Sequence, residues 1–409
     1  MRKAWLFVCA IGLAPAAQAQ ELSFSQAVAE AASEGPTIEA GTSGVQAATR
    51  ARRAAGRLPD PELALAIDNV PVDGPDRYRL NRDEMTMRRI GVMQSVPSGF
   101  ERRAQRAVAD ADITRAEAAL EVARLEARLG AADAWIKLYY TQRRLAVLNR
   151  LAEEAHASAS AARARLGAGA ADVDDALATE VEAARAEDRV SDATAAVAVA
   201  RAQLRRWIGA AADEELADAA PSFVVDPAML REQLRRHPVL AQYAAEHDEA
   251  EAQLRMAQSD RWPDWSWEVS YGRRAPELSD MASVEVRIGL PLFQPWRQQP
   301  VIDARRAEVD RADAQRQAAE REHLATLDSN LAAYEATEAN LDRARQTRLP
   351  LARRREAANA AYGAGTSTVA ALIAARAQAL ETEMDVLDLE ERAATLGAEL
   401  TLQYAGEAP

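Results

Sequence analysis

The sequence predicts a mainly α protein with a small β part, built from one unit that occurs twice. Three observations carry this. Apolar residues recur at alternating spacings of three and four over long stretches, the signature of helices packed lengthwise on other helices. Two glycine-rich triplets, Gly167-Ala168-Gly169 and Gly363-Ala364-Gly365, interrupt those stretches. Four short segments instead alternate apolar and polar residues with period two, the pattern of strands.

Taken from the start, residues 1–19 read as a secretory signal. Arg2 and Lys3 precede an apolar run over 4–13, and Ala17-Gln18-Ala19 offers a cleavage site. Cleavage there removes two cations and no acid, taking the net charge from −13 to −15, which argues against a nucleic-acid partner. Cys9, the single cysteine, lies inside this segment and follows Val8 where lipoprotein processing needs a small residue, after too short an apolar run, so neither disulfides nor an N-terminal lipid are expected. Beyond it no stretch is long and apolar enough for a membrane-spanning helix, which leaves an exported soluble protein or a β-type membrane protein.

The first unit spans 20–208. Ser23-Phe24-Ser25-Gln26 reads as a capping box opening a helix. Strands are expected at about 63–70 and 86–95, followed by a long helical hairpin over 100–207 with its tip at 166–172. The seam of the outgoing helix runs Val122, Leu125, Leu129, Ala132, Ile136, Tyr139. After a phase slip it resumes at Leu145, Leu148, Ala152, Ala155, Ala159, Ala162, Leu166, mostly alanine, so neighbouring helices can approach closely. A helix of about 66 residues at about 1.5 Å per residue would be roughly 100 Å long, far more than a globular core needs.

Residues 209–225 form a mixed linker, and the second unit spans 226–404 with a short tail over 405–409. Asp226-Pro227 opens its first helix. Strands are expected at about 264–271 and 283–290, and a second hairpin over 300–403 with its tip at 362–368. The seam of its first arm includes Leu324, Leu327, Leu331, Tyr334 and Leu341, with Glu338 interrupting it and Pro350 expected to kink it. Arg89-Ile90-Gly91 recurs as Arg287-Ile288-Gly289, Pro97 as Pro295, Leu58-Pro59-Asp60 as Trp262-Pro263-Asp264, and Pro36 as Pro238. Matches in the same order at a nearly constant offset of about 200 residues imply duplication.

In the strands, Leu63, Leu65 and Ile67 oppose Ala64, Ala66 and Asp68; Trp265, Trp267, Val269 and Tyr271 oppose Ser266, Glu268 and Ser270; Val284, Val286, Ile288 and Leu290 oppose Glu285, Arg287 and Gly289. The fourth is poorer, because Arg88 falls on its apolar face. Trp262, Trp265, Trp267, Tyr271 and Trp296 suit a membrane-interface belt. The pattern also fits two hairpins half-buried in a soluble domain. Count decides what a membrane reading requires: four strands cannot close a barrel, and an open edge in lipid leaves backbone groups unpaired, so several copies must pool their strands.

Signal, duplication, strand pairs and Gly-turned hairpins together resemble the TolC-like outer-membrane factors, the exit ducts of tripartite efflux pumps and type I secretion systems. The most specific marks are Arg165-Leu166-Gly167-Ala168-Gly169 and Ala361-Tyr362-Gly363-Ala364-Gly365. The resemblance implies a homotrimer with a periplasmic α-barrel and a shared 12-stranded outer-membrane β-barrel, four strands per chain. It also implies contact with outer-membrane lipid, and partners in a periplasmic adaptor and an inner-membrane RND-type pump. The tip residues Leu166, Gly167, Gly169, Tyr362, Gly363, Gly365 and Thr366 would dock the adaptor. Leu58-Pro59-Asp60-Pro61-Glu62-Leu63, Asp68-Asn69-Val70 and Ile90-Gly91-Val92-Met93-Gln94-Ser95-Val96-Pro97 are similar to the branch serving cobalt-zinc-cadmium type cation efflux.

One departure matters. Acidic residues often narrow the entrance just past the second tip in this family, where this chain has Ala371 and Ala374; its acids Asp172, Asp174 and Asp175 follow the first tip. A threefold ring of Asp would attract cations. Equally, Asp172 would cap a helix whose N-terminal dipole favours Asp174 and Asp175. No catalytic motif is present, His156, His237, His247 and His323 show no ligand spacing, and no cofactor, metal site or enzymatic activity is expected. The function expected is a passive outer-membrane conduit for cargo, metal cations by the branch resemblance. The alternatives are a soluble periplasmic coiled-coil scaffold or adaptor and, within the class, a drug-efflux or type I secretion duct.

Overall fold

A computed structural model describes residues 21–169 and 172–405. The signal segment with Cys9, and all but the first residue of the tail, lie outside the described residues. The elements follow the order α1 (Phe24–Ser33), α2 (Pro36–Arg52), β1 (Glu62–Asp68), β2 (Met87–Val96), α3 (Gly99–Gly167), α4 (Val173–Ile208), α5 (Pro227–Gln233), α6 (Pro238–Ser259), β3 (Trp265–Arg273), β4 (Met281–Ile288), α7 (Gln298–Gly363) and α8 (Val369–Leu400).

Two compact units emerge, and neither follows a sequence repeat. One holds the described residues up to Gly35, Arg124–Gln233 and those from Leu327; the other holds Pro36–Ala123 and Leu234–Thr326. Each draws on both halves of the chain.

The first unit contains the hairpin tips and an aromatic core. The expected capping box forms: Gln26 N–H donates to Ser23 Oγ at 3.2 Å, and Ser23 N–H donates to Gln26 Oε1 at 3.0 Å. Trp135 is fully buried, its indole donates to the Leu22 carbonyl at 3.1 Å, and Phe24 meets its ring edge-on at 5.7 Å. The alanine seam packs as its small side chains allow. Ala152, Ala155 and Ala159 of α3 lie buried against Ala183 and Ala186 of α4. In α7 the seam bypasses Glu338 through Thr337, which is 3 % exposed and whose hydroxyl donates back to the Ala333 carbonyl at 2.7 Å. Leu341 then packs on Val386 and Ala393 of α8. Pro350 lies inside α7, which continues through it without a break. Its ring nitrogen carries no hydrogen, so the Gln346 carbonyl lacks its usual intrahelical donor.

The second unit holds the sheet. The strands pair antiparallel in the order β1-β2-β3-β4, so β2 and β3 join the two sequence halves and β1 and β4 are edges. β1 stops two residues short of the expected 70 because Asn69 turns out at φ 55; the Asn69 carbonyl accepts the Thr86 hydroxyl at 2.8 Å. β4 stops at Ile288, after which Gly289 N–H turns to the Asp264 carbonyl at 2.8 Å. Leu324, expected in the seam of α7, is 44 % exposed within one chain, whereas Leu327 is fully buried.

The sheet's polarity is the reverse of a soluble sheet. Leu65 is 72 % exposed and Val284 74 %, and Leu63, Ile67, Ile90, Val92, Val269, Val286 and Ile288 share that exposed apolar face. The other face carries a charge lattice. Arg89 bridges Asp68 at 2.9 Å and Glu268 at 2.8 Å, and Arg287 bridges Glu285 at 2.6 Å and Glu268 at 3.4 Å. Arg88, the anomaly of the sequence pattern, is the second residue of β2 and therefore sits on the apolar face at its loop end. Among the described residues no helix is long and apolar enough to cross a membrane.

Candidate functional site

Among the described residues the two tip turns share their backbone hydrogen bonds. At the first, Ala168 N–H donates to the Ala164 carbonyl at 3.1 Å and Gly169 N–H to that of Leu166 at 2.9 Å; at the second, Ala364 donates to Ala360 at 3.0 Å and Gly365 to Tyr362 at 3.0 Å. Gly169 has φ 70 and Gly365 φ 74, the left-handed turn that ends a helix and that glycine adopts without steric cost. Capping residues stand at matching places beyond. Asp172 accepts Asp174 N–H at 3.4 Å and Thr368 accepts Ala371 N–H at 3.3 Å. Thr366 also ties its hydroxyl to the Ala361 carbonyl at 3.0 Å.

The structure brings the two tips together. The Arg165 guanidinium lies over the Tyr362 ring at 5.4 Å and reaches the Tyr362 carbonyl at 3.4 Å. Tyr362, Val369 and Leu372 form a buried cluster against which Ala178 of α4 packs. Of the remaining tip residues Leu166 is half-buried, and Gly167, Gly169, Gly363, Gly365 and Thr366 are exposed. Asp172 and Asp174 are exposed and Asp175 is half-buried, all within the first turn of α4 or at its cap.

A residue that sequence reasoning missed lies behind the tips. Arg376 of α8 is 4 % exposed. It donates to Asn359 Oδ1 at 3.1 Å, Ser158 Oγ at 2.8 Å, the Glu154 carbonyl at 3.4 Å and Glu182 Oε2 at 3.4 Å, touching α3, α4 and α7 at once. Its place four residues after the seam residue Leu372 was the available signal. Beside it, Val173, Leu177 and Val181 form an exposed apolar stripe at i, i+4, i+8 on α4.

At the sheet, Trp262 stacks on Phe100 at 4.3 Å and, with Trp265 and Trp296, stands at the helix-connected end. Trp267 is half-buried one pair further in, and Tyr271 stands at the loop end, its hydroxyl bonded to Asp280. These aromatics thus divide between the two ends of the sheet.

Among the described residues, no group of three or more His, Cys, Asp or Glu side chains is arranged to hold a metal ion. His237 and His323, distant in sequence, place their rings 4.4 Å apart, and His237 Nδ1 accepts Val239 N–H at 3.2 Å. Burial, with a contribution from His323, pushes the His237 pKa down to about 4.

A search of curated protein sequences finds no match. Among solved structures, the chain is similar to the outer membrane protein VceC from Vibrio cholerae, at 17 % identity and TM-score 0.76, over 93 % of this chain and 95 % of that one. It is also similar to the CmeC outer membrane channel of Campylobacter jejuni, at 11 % identity and TM-score 0.80, over 94 % and 86 %. CusC, which folds into a transmembrane channel, matches at 16 % identity and TM-score 0.73, over 93 % and 91 %. These likenesses establish the TolC-like fold. The outer membrane efflux protein model matches residues 12–210 and 229–405, and the chain belongs to the outer membrane efflux protein family.

Proposed function

We propose that the chain is the outer-membrane exit duct of a tripartite efflux system, working as a homotrimer and passing cargo passively from a periplasmic adaptor and an inner-membrane pump to the exterior. The observation that carries this is the sheet: an apolar face with Leu65 and Val284 largely exposed, a charged opposite face, and two edge strands. In water that arrangement exposes a large apolar patch and invites aggregation. In lipid it is satisfied once β1 of one copy pairs with β4 of the next, and three copies of four strands close a barrel of adequate size. A soluble scaffold would leave the apolar face in water.

The cargo assigned is metal cations. This rests on the likeness of the segments over 58–70 and 90–97 to the cation-efflux branch and on the carboxylates that follow the first tip. The helical tips are the adaptor-docking end. The acids Asp172, Asp174 and Asp175 line the closed entrance in threefold copies, Asp172 also serving as the cap. The signal segment directs export, and the helices lie in the periplasm. Gene-disruption and fractionation test the reading: the protein should extract only with detergent, as a heat-labile trimer, and its loss should sensitise cells to metal cations. Monomer in the soluble periplasmic fraction would overturn it. For the gate, Asp175→Ala should raise single-channel conductance or reduce cation preference in planar bilayers; no change in either would leave the acids as caps alone.

A further inference from the structure

Arg88 and Arg273 face each other directly in the β2–β3 ladder. They lie on the exposed apolar face, two ladder positions beyond Ile90 and Tyr271, where both strands run into loops. Like charges directly opposed weaken a sheet. The arginines of the other face show what compensation looks like, since Arg89 and Arg287 bridge Asp68, Glu268 and Glu285. Neither Arg88 nor Arg273 forms a salt bridge among the described residues. Asp280, a carboxylate within electrostatic reach of both, already accepts the Tyr271 hydroxyl and the Arg274 N–H. Arg274 itself turns away to the Glu84 carbonyl at 3.1 Å. Two cations against one engaged acid leave positive charge on the rim of an apolar band.

The position of this charge identifies its counterion. Along β3 the face reads Trp265, Trp267, Val269, Tyr271, Arg273, passing from aromatic through apolar to basic. That is the order met in crossing a bilayer from one interface to the phosphate layer of the other. Guanidinium forks match phosphate oxygens in pairs, which a hydrated small anion does not exploit as fully.

We infer that Arg88 and Arg273 together form a binding site for the phosphate of an anionic lipid in the outward-facing leaflet, one site per chain. The inference rests on the channel reading, because only a lipid-facing sheet presents this pair to headgroups. The site fixes the height of the barrel in the membrane and relieves the repulsion within the ladder.

The test uses the full-length oligomer in neutral detergent. Its heat-dissociation midpoint is followed on gels while lipopolysaccharide, or the same glycolipid stripped of its phosphates, is titrated in. The native oligomer should be stabilised by the phosphorylated lipid and not by the stripped one. Arg88→Gln with Arg273→Gln should need about tenfold or more lipid for the same shift, since charge-assisted bonds contribute roughly 1.5–3 kcal/mol. Equal stabilisation by stripped lipid, or unchanged titration of the double variant, would overturn the site. The comparison of the two lipids uses the native sequence and stands even where the variant does not assemble. Failure of the native chain to form any detergent-stable oligomer would strike the channel reading instead.

Discussion

The Arg376 guanidinium is held among side chains from α3, α4 and α7, and it is 4 % exposed. A buried charge in that setting stays only while its partners remain. Arg376→Ala should therefore strand Glu182 and Glu154 and lower stability by about 3–5 kcal/mol, read as an earlier heat-dissociation midpoint. Arg376→Lys should recover part of this, since one ammonium cannot reach all the fork's partners. His237 gives a pH dependence of definite sign. Its folded pKa is about 4 and its ordinary value 6.5, so the unfolded chain takes up a proton that the folded chain refuses between those values. Stability is fully present above pH 6.5 and lost as pH falls towards 4, by roughly 3 kcal/mol at most. Denaturant unfolding at pH 7 and pH 4.5 should show the loss, and His237→Gln should flatten it. Neither residue stood out in the sequence. An arginine at helical spacing reads as solvated, and His237 and His323 meet only through the fold.

At the scale of elements, the tips were the most legible part, because a left-handed helix ending leaves a glycine in the sequence. Gly365→Val should strain a backbone at φ 74 and cost about 1–2 kcal/mol locally. On the function proposed above, trimer formation should persist while cross-linking to an adaptor falls. The alanine seam was equally plain, since close helix contact needs small residues at a fixed period. Strand ends were less so. Asn69 leaves β1 by its own backbone conformation, and period two does not encode that. The charge lattice depends on register, which places Arg89 beside Glu268 from the other half of the chain. Register is a property of pairing, so no local pattern announces it.

At the scale of the whole molecule, a single chain leaves several apolar and hydrogen-bonding surfaces uncovered. The edge strands β1 and β4, the apolar sheet face and the stripe of Val173, Leu177 and Val181 are uncovered in a single chain. Val286→Arg, in the middle of the apolar face, should cost about 2–4 kcal/mol per copy in a bilayer and reduce the yield of membrane-inserted protein. Ser283→Arg, on the opposite face, should insert normally. The repeats of the sequence and the compact units of the structure divide the chain differently, because residues of both halves fold together in each unit.

Pro350 adds a mechanical consequence. With no amide proton to offer Gln346, that turn of α7 lacks one of the helix's hydrogen bonds and bends more readily for it. From there to Gly363 is an arm of about 20 Å, so a tilt of about 10° carries the loop end sideways by roughly 3 Å. A sideways pull on that end would be absorbed as a swing about one weak turn, sparing the bonds elsewhere along the rod.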